Sequence, residues 1–229
     1  VTGANRGIGL ALVKQWLAVT DAHVFATARQ PDAAADLHAL QRQYPDRLTL
    51  VKLEVTSAAD IDAAVATVRQ QTAALDVLVN NAGIDPDDGW SLELLKPDVM
   101  LRAFEVNTVA PAMITKAFLP LLKASSRPRV VNISSDMGSI ENRTYSDSHA
   151  YCASKAALNM VTRGFAVELR RDRVTLVCLD PGWVQTDMGG SDAPLEPVES
   201  ARGIVNVVSG LTPQDSGRYL RWDGGTHPW

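Results

Sequence analysis

Val1-Thr2-Gly3-Ala4-Asn5-Arg6-Gly7-Ile8-Gly9 opens the chain and decides how the rest is read. Its glycines stand directly before an apolar helical pattern, Leu10-Ala11-Leu12-Val13-Lys14-Gln15-Trp16-Leu17. Glycines let a backbone approach a ligand closely. A helix start offers unpaired N–H groups and the positive end of a dipole, so a glycine-rich turn opening a helix is a phosphate site. The plain alternative is a turn and nothing more. The spacing, G-x-x-x-G-x-G, is not the G-x-G-x-x-G of the standard dinucleotide fingerprint. Such a turn should follow a buried central strand, and almost none precedes Gly3. Missing a central strand would leave its neighbours with unpaired backbone groups. The reading therefore expects a truncated first strand and further residues upstream of Val1.

Working outward, strand and helix patterns alternate. Short apolar runs at 23–28, 48–53, 76–79, 129–134, 173–179 and 218–222 read as strands. Between them, 31–43, 57–75, a long stretch from Pro97, 150–171 and a shorter one from Pro197 read as helices. Ser57 with Asp60 gives a capping-box-like start, and Pro111 should kink the long helix that carries Asn107. This alternation implies parallel βαβ units: a Rossmann-type, doubly wound parallel sheet in a three-layer α/β/α arrangement. With no repeat, linker or low-complexity segment, residues 1–229 read as a single dinucleotide-binding catalytic domain.

Composition narrows the function. A net charge of −4 gives no reason to expect nucleic acid or an acidic membrane surface. Cys152 and Cys178 lie in apolar segments without metal-ligand spacing, which reads as buried reduced thiols. The four histidines are scattered, so no metal site is expected. No apolar run is long enough to span a membrane and no signal-peptide pattern is visible. The expectation is a cytoplasmic protein without membrane or nucleic-acid partners.

Tyr151-Cys152-Ala153-Ser154-Lys155 is the sharpest constellation. Tyr and Lys four apart share a helix face. A nearby ammonium favours phenolate, so the reading expects a lowered Tyr151 pKa and an acid–base group. Chance spacing is the alternative. Ser134-Ser135 closes a strand, and its alternative is an ordinary polar strand end. Asn80-Asn81-Ala82-Gly83 ends another strand, with a tight turn using φ > 0 as the alternative. Pro181-Gly182-Trp183-Val184-Gln185-Thr186 follows a third, with the same bland alternative. Asn107 reads either as a site residue or as a polar residue solvating a kink. All these segments follow strand C-termini or adjoin them, where open α/β sheets bind ligands.

Together, Thr2 to Gly9, Asn80 to Gly83, Asn107, Ser135, Y-x-x-x-K and Pro181 to Thr186 closely resemble the short-chain dehydrogenase/reductase family over essentially the whole chain. Residues 134–140, 153–160 and 181–190, with Asp223-Gly224-Gly225 and Pro228-Trp229, look like its sniffer-type carbonyl reductase and C-factor-like branch.

The resemblance implies that Tyr151 transfers the proton and that Lys155 lowers the tyrosine pKa and holds the nicotinamide ribose. It implies that Ser135 hydrogen-bonds the substrate carbonyl; Ser135 is preferred to Ser134 because Gly138 then falls at the family's usual offset. Asn107 would hold a water linking Lys155 to solvent. Gly3, Asn5, Arg6, Gly7, Ile8, Gly9, Arg29, Glu54, Val55, Asn81, Ala82, Gly83, Pro181, Gly182, Val184 and Thr186, with Tyr151 and Lys155, would line the dinucleotide. Two departures stand out. The Ser135–Tyr151 spacing exceeds the common family pattern by a few residues, and Glu54 replaces the family's aspartate near the adenine.

NAD-selective relatives end the second strand in an acid that binds the ribose hydroxyls. Here Ala28 is followed by Arg29, and Arg6 lies in the glycine loop, so NADP(H) is expected. Trp90, Met137, Tyr145, His149, Trp183 and Met188 are candidate linings of the substrate pocket, with core packing as the alternative for the apolar ones. Gly189-Gly190 read as hinges of a short loop over an open mouth.

Small and apolar residues on the helices at 98–125 and 151–170, including Ala110, Met113, Ala117, Ala157 and Val161, read as a homodimer surface. In resembling proteins these helices pair across a two-fold axis. The expected activity is NADPH-dependent reduction of a small-molecule aldehyde, ketone or quinone. The rivals are an alcohol dehydrogenase of the same fold and a dinucleotide-binding signalling protein without important turnover.

Overall fold

The computed structural model describes residues 1–86 and 91–229. The chain alternates strand and helix as its pattern requires: α1 (Gly7–Val19), β1 (Val24–Ala28), α2 (Ala35–Gln43), β2 (Leu48–Lys52), α3 (Ala58–Gln71) and β3 (Val77–Asn80). Then come α4 (Pro97–Phe104), α5 (Ala110–Lys123), β4 (Arg129–Ile133), α6 (His149–Glu168), β5 (Thr175–Asp180), α7 (Pro197–Gly210) and β6 (Tyr219–Arg221).

All strand pairs are parallel, in two runs: β2 beside β1, and β3-β4-β5-β6. Residues 1–4 lie between the runs and bond to both. Thr2 N–H donates to the Val79 carbonyl at 2.9 Å, while Thr27 N–H donates to the Val1 carbonyl at 3.0 Å. The order in which strands are added reverses at this seam, so the glycine turn stands at the topological switch point.

A parallel sheet covered on both faces needs strands that are apolar on both faces, and β5 is buried at every position. One face packs Leu12, Leu17, Leu37, Ile204 and Val208 from α1, α2 and α7. The other packs Ile61, Val65, Ile114, Phe118 and Leu122 from α3 and α5. Between β3 and β4 the pairing is polar: Asn80 Nδ2 donates to Asn132 Oδ1 at 2.8 Å and to Thr115 Oγ1 at 3.2 Å, and Asn132 Nδ2 donates to Thr162 Oγ1 at 2.8 Å. These bonds tie the two strands to α5 and α6 just beneath the site. No helix among the described residues is long and apolar enough to cross a membrane.

The structure differs from expectation in three local respects. The long helix from Pro97 is not merely kinked: α4 and α5 are joined by a wider π-type turn over Glu105–Val109. Pro111 has no N–H to give the carbonyl four residues back, so the ladder loosens there. Ser57 does cap α3, accepting from Asp60 N–H at 3.2 Å, but Asp60 returns its carboxylate to Glu54 N–H at 3.0 Å and not to Ser57. Ala110 is buried in the chain's own core, whereas Met113 is exposed with Leu101, Val109, Met160 and Val167 on the same helices.

Candidate active site

A cleft of about 1510 Å³ opens at the C-terminal ends of the strands. Its first wall is the glycine turn. Gly3 and Gly7 adopt φ of +62° and +53°, a region that disfavours side chains. At Gly9 a Cβ would lie 2.3 Å from the Gly3 carbonyl oxygen, so the turn closes on itself only without one. The Thr2 hydroxyl accepts from Asn81 N–H at 2.9 Å and Ala82 N–H at 3.0 Å. Asn81 Nδ2 answers by donating to the carbonyls of Thr2 at 2.9 Å and Gly3 at 3.2 Å. The segment after β3 is therefore a clasp on the glycine turn. None of Asn80, Asn81, Ala82 or Gly83 has positive φ, which removes the tight-turn alternative.

α1 begins with no side-chain cap and no acid in its first turn. Its first N–H groups are left to face the cleft, as an anion would require. Arg29, exposed after β1, and Arg6 line the same wall. Arg6 pairs with Asp187; their side chains are 68% and 74% exposed, so water competes for both. Along the β2 end, Glu54 and Val55 line the cleft, and the Glu54 carboxylate accepts from Thr56 N–H at 3.3 Å and its hydroxyl at 3.1 Å. The β5 end contributes Pro181, Gly182, Val184 and Thr186. An open helix terminus, two guanidinium groups and close-approach glycines are the donor set that a phosphorylated dinucleotide needs.

The opposite end holds Ser135, Tyr151 and Lys155, with Asn107 behind them. Ser134 and Ser135 part company here: the Ser134 hydroxyl is spent on Asn159 Oδ1 at 2.6 Å. The Ser135 hydroxyl accepts from Met137 N–H at 3.2 Å and donates to Asp136 Oδ1 at 3.2 Å, and it borders the cleft with the Tyr151 phenol. Gly138 lets α6 pass close by; a Cβ there would sit 3.0 Å from Lys155 Cβ.

Tyr151 and Lys155 share a face of α6, as their spacing requires, but the expected lowering of the tyrosine pKa is absent. Burial pushes the phenol well above its ordinary value, and the nearby Ser135 hydroxyl only partly offsets this. The Lys155 ammonium is turned away to donate to the Ile133 carbonyl at 2.8 Å, and lies 5.5 Å from the Tyr151 ring centre. Burial brings Lys155 down to about 8. Desolvation penalises both charged forms, so each side chain moves toward neutrality.

Asn107 lies in the π-type turn, 1% exposed. Its Oδ1 accepts from Ile84 N–H at 2.9 Å, and its Nδ2 donates to the Ile84 carbonyl at 2.8 Å and Ser154 Oγ at 3.0 Å. The amide is thus fully engaged in holding the strand end after β3 against α6. Pro111, lacking an N–H, leaves the Asn107 carbonyl without its α-helical donor. Ser154, which the sequence reading passed over, carries this link. Its signal was a hydroxyl at a helix position otherwise filled by core residues.

Of the expected pocket linings, Met137, Tyr145, Trp183 and Met188 border the cleft, and His149 does not. As the first residue of α6, His149 sits too far round the helix from Tyr151 to share its face. Trp90 lies outside the described residues. Trp183 is 59% exposed, yet its indole N–H is anchored to the Gly189 carbonyl at 2.7 Å. Gly189 is a packing glycine and not a hinge, since a Cβ would meet the Val184 carbonyl at 2.1 Å. Arg102, Asp85 and Asp136 also line the mouth and were not anticipated; nothing in their local sequence distinguishes them from surface charges.

Comparison with known proteins agrees with this geometry. The short chain dehydrogenase family model matches residues 1–196. C-signal of Myxococcus xanthus is 42% identical over 160 residues, 69% of this chain and 95% of that protein. The carbonyl reductase Sniffer of D. melanogaster superposes with a TM-score of 0.96 at 35% identity, over 100% of this chain and 97% of that one. An NADPH-bound carbonyl reductase from chicken fatty liver gives 0.94 at 40% identity, with the same shares covered. Fold, ordered motifs and relatives lead to one conclusion: this chain is an oxidoreductase belonging to the short-chain dehydrogenase/reductase family.

Proposed function

We propose that the protein is an NADPH-dependent carbonyl reductase, acting on an aldehyde, ketone or quinone, with residues 1–229 working as one catalytic domain. The observation that carries this reading is the Tyr151 phenol. It is buried, held protonated well beyond neutral pH, and borders the cleft together with Ser135. A carbonyl accepting a hydride needs a proton at its oxygen, and a phenol that keeps its proton is the form required of a general acid.

In this reading the Ser135 hydroxyl and the Tyr151 phenol converge on the substrate oxygen, where charge develops in the transition state. Lys155 holds the nicotinamide ribose and, once turned from Ile133, favours the transient phenolate. The carbonyl of Asn107 holds a water that returns the proton. Gly3 to Gly9 and the open start of α1 hold the pyrophosphate, and Arg6 and Arg29 take the 2′-phosphate. Asn81, Ala82, Gly83, Glu54 and Val55 border the adenine half. Pro181, Gly182, Val184 and Thr186 orient the nicotinamide. NADPH, when bound, supplies the hydride. The NADPH-bound chicken reductase, 40% identical to this chain, supports the choice of cofactor. We read the protein as cytoplasmic, a setting that suits the buried Cys178 thiol.

The likeness to C-signal supports a second reading, a dinucleotide-binding signalling protein without important turnover. Following NADPH oxidation against a panel of carbonyls separates the two. Turnover that is lost in Tyr151→Phe supports the reductase, and no turnover with any carbonyl while NADPH still binds supports the binder. We further propose a homodimer through the exposed Met113, Leu101, Val109, Met160 and Val167. Light scattering at micromolar concentration should give twice the 24.7 kDa chain mass.

A further inference from the structure

The chain reverses after β6. Gly224 takes φ +91°, Arg221 N–H donates to the Gly225 carbonyl at 2.8 Å, and Leu220 bridges Thr226 in antiparallel fashion. The reversal lays His227 beside Tyr219: its N–H donates to the Tyr219 carbonyl at 2.9 Å and the two rings lie 4.9 Å apart. The Trp229 ring packs 5.5 Å from that of Tyr219. The Asp223-Gly224-Gly225 and Pro228-Trp229 motifs therefore build a small hairpin, for which the proposed reaction has no direct use.

Three connections run from this hairpin to residues 135–141. The Tyr219 hydroxyl donates to the Ser135 carbonyl. The Trp229 carbonyl accepts from Glu141 N–H at 2.9 Å and from the Ser139 hydroxyl at 3.3 Å. The third passes through Asp180, the last residue of β5. His227 Nε2 meets Asp180 Oδ2 at 2.9 Å, and Asp180 Oδ1 accepts from Asp136 N–H at 3.2 Å and Gly182 N–H at 3.1 Å. The two side chains are only 7% and 10% exposed. A carboxylate so far from water needs every partner it has. It spends one oxygen on the two turns that flank the cleft and the other on His227.

We propose that the C-terminal hairpin is a brace for the Ser135 turn, with Tyr219, His227 and Asp180 as positioning residues that set where the Ser135 hydroxyl points. The inference rests on the reading of Ser135 as the group that meets the substrate oxygen. The backbone of Ser135 is held from its carbonyl by Tyr219 and from the next N–H by Asp180. Loss of either contact frees the peptide that carries the hydroxyl. Burial keeps the Tyr219 proton in place for this bond.

The test is a double-mutant cycle between the brace and Ser135, with NADPH affinity measured by fluorescence beside kcat for the best carbonyl of the panel. Tyr219→Phe keeps the ring and removes only the hydroxyl, so it remains informative even if His227→Leu fails to fold. Each brace variant is expected to lower kcat by about 10-fold; Tyr219→Phe, which leaves the Asp180 contact with Gly182 in place, is expected to keep NADPH affinity unchanged. His227→Gln, which keeps a donor for Asp180, is expected to restore most of the rate. In a Ser135→Ala background neither Tyr219→Phe nor His227→Leu should lower kcat further. The same loss in both backgrounds, or a parallel loss of NADPH affinity in Tyr219→Phe, overturns the brace while leaving the role of Ser135 intact. A parent rate in Ser135→Ala alone overturns the reading on which the brace rests.

Discussion

The two ends of the cleft are built by different means. At the glycine turn the useful groups are backbone N–H groups and exposed guanidiniums: α1 is uncapped and Arg6 is 68% exposed. At the other end the useful groups are side chains buried by their neighbours: Asn107, Ser135, Tyr151 and Lys155 all lie below a tenth exposure. The first end presents charge-complementary groups that are already desolvated or already in water. The second holds groups whose charge is expensive, so their protonation is governed by burial. On the proposed reading, phosphate binding and proton transfer fall at opposite ends, and substitutions at the two ends should fail differently.

The largest expected effect is at the buried end. Tyr151→Phe should lose about 10²–10⁴-fold in kcat, the contribution of a positioned general acid, with NADPH affinity close to the parent's. Stopped-flow turnover and fluorescence titration read the two quantities separately. A variant that keeps the parent rate sinks the assignment.

At the exposed end the effect should fall on affinity instead. Arg29→Asp replaces attraction with repulsion toward a 2′-phosphate. A charged hydrogen bond is worth about 1.5–3 kcal/mol, so NADPH affinity should drop by about 10- to 100-fold while NADH is little affected. Equal kcat/KM for NADPH and NADH in the parent would contradict the cofactor choice.

Gly9→Ala probes the turn itself. Its Cβ would press 2.3 Å from the Gly3 carbonyl, a backbone atom that cannot swing aside. Overpacking of this kind costs about 1–3 kcal/mol, and calorimetry should show a lower Tm together with weaker NADPH binding. An unaltered Tm would mean that the turn relaxes without loss.

The smallest effect sharpens the contrast by pH. Lys155 is brought down to about 8 by burial, while Tyr151 is raised far above that. Lys155 is therefore cationic below pH 8 and loses its proton as pH rises through 8, with Tyr151 still protonated. The kcat/KM for reduction should fall on that alkaline limb by up to about tenfold per pH unit. Lys155→Arg, which stays charged there, should abolish the limb.

The same division governs what could be read in advance. The glycine turn, Y-x-x-x-K and the strand-end motifs are local, so residue order and spacing carry the sheet and the cleft edge, whereas lining residues such as Lys14, Asp85, Arg102 and Val198 come from outside those motifs. The preference for Ser135 over Ser134 rests on an offset to Gly138; what the sequence does not show is that the Ser134 hydroxyl is bonded to Asn159. His149 is two residues from Tyr151 in sequence but on another face of α6, which the rotation of the helix decides. The pKa of Tyr151 was misjudged because spacing shows that Lys155 is a neighbour but not that its ammonium turns to Ile133.

What the sequence determined by itself, then, is the parallel α/β arrangement and the identity of the residues at the strand ends, since periodicity and backbone chemistry act over a few residues. What only the tertiary structure decided is which of those groups are desolvated and what each is bonded to. The clasp of Asn81 on Thr2, the engagement of Asn107 with Ile84 and Ser154, and the pairing of Asp180 with His227 join residues from 23 to 79 positions apart. No local pattern encodes such contacts, because they exist only once the sheet has brought its strand ends together.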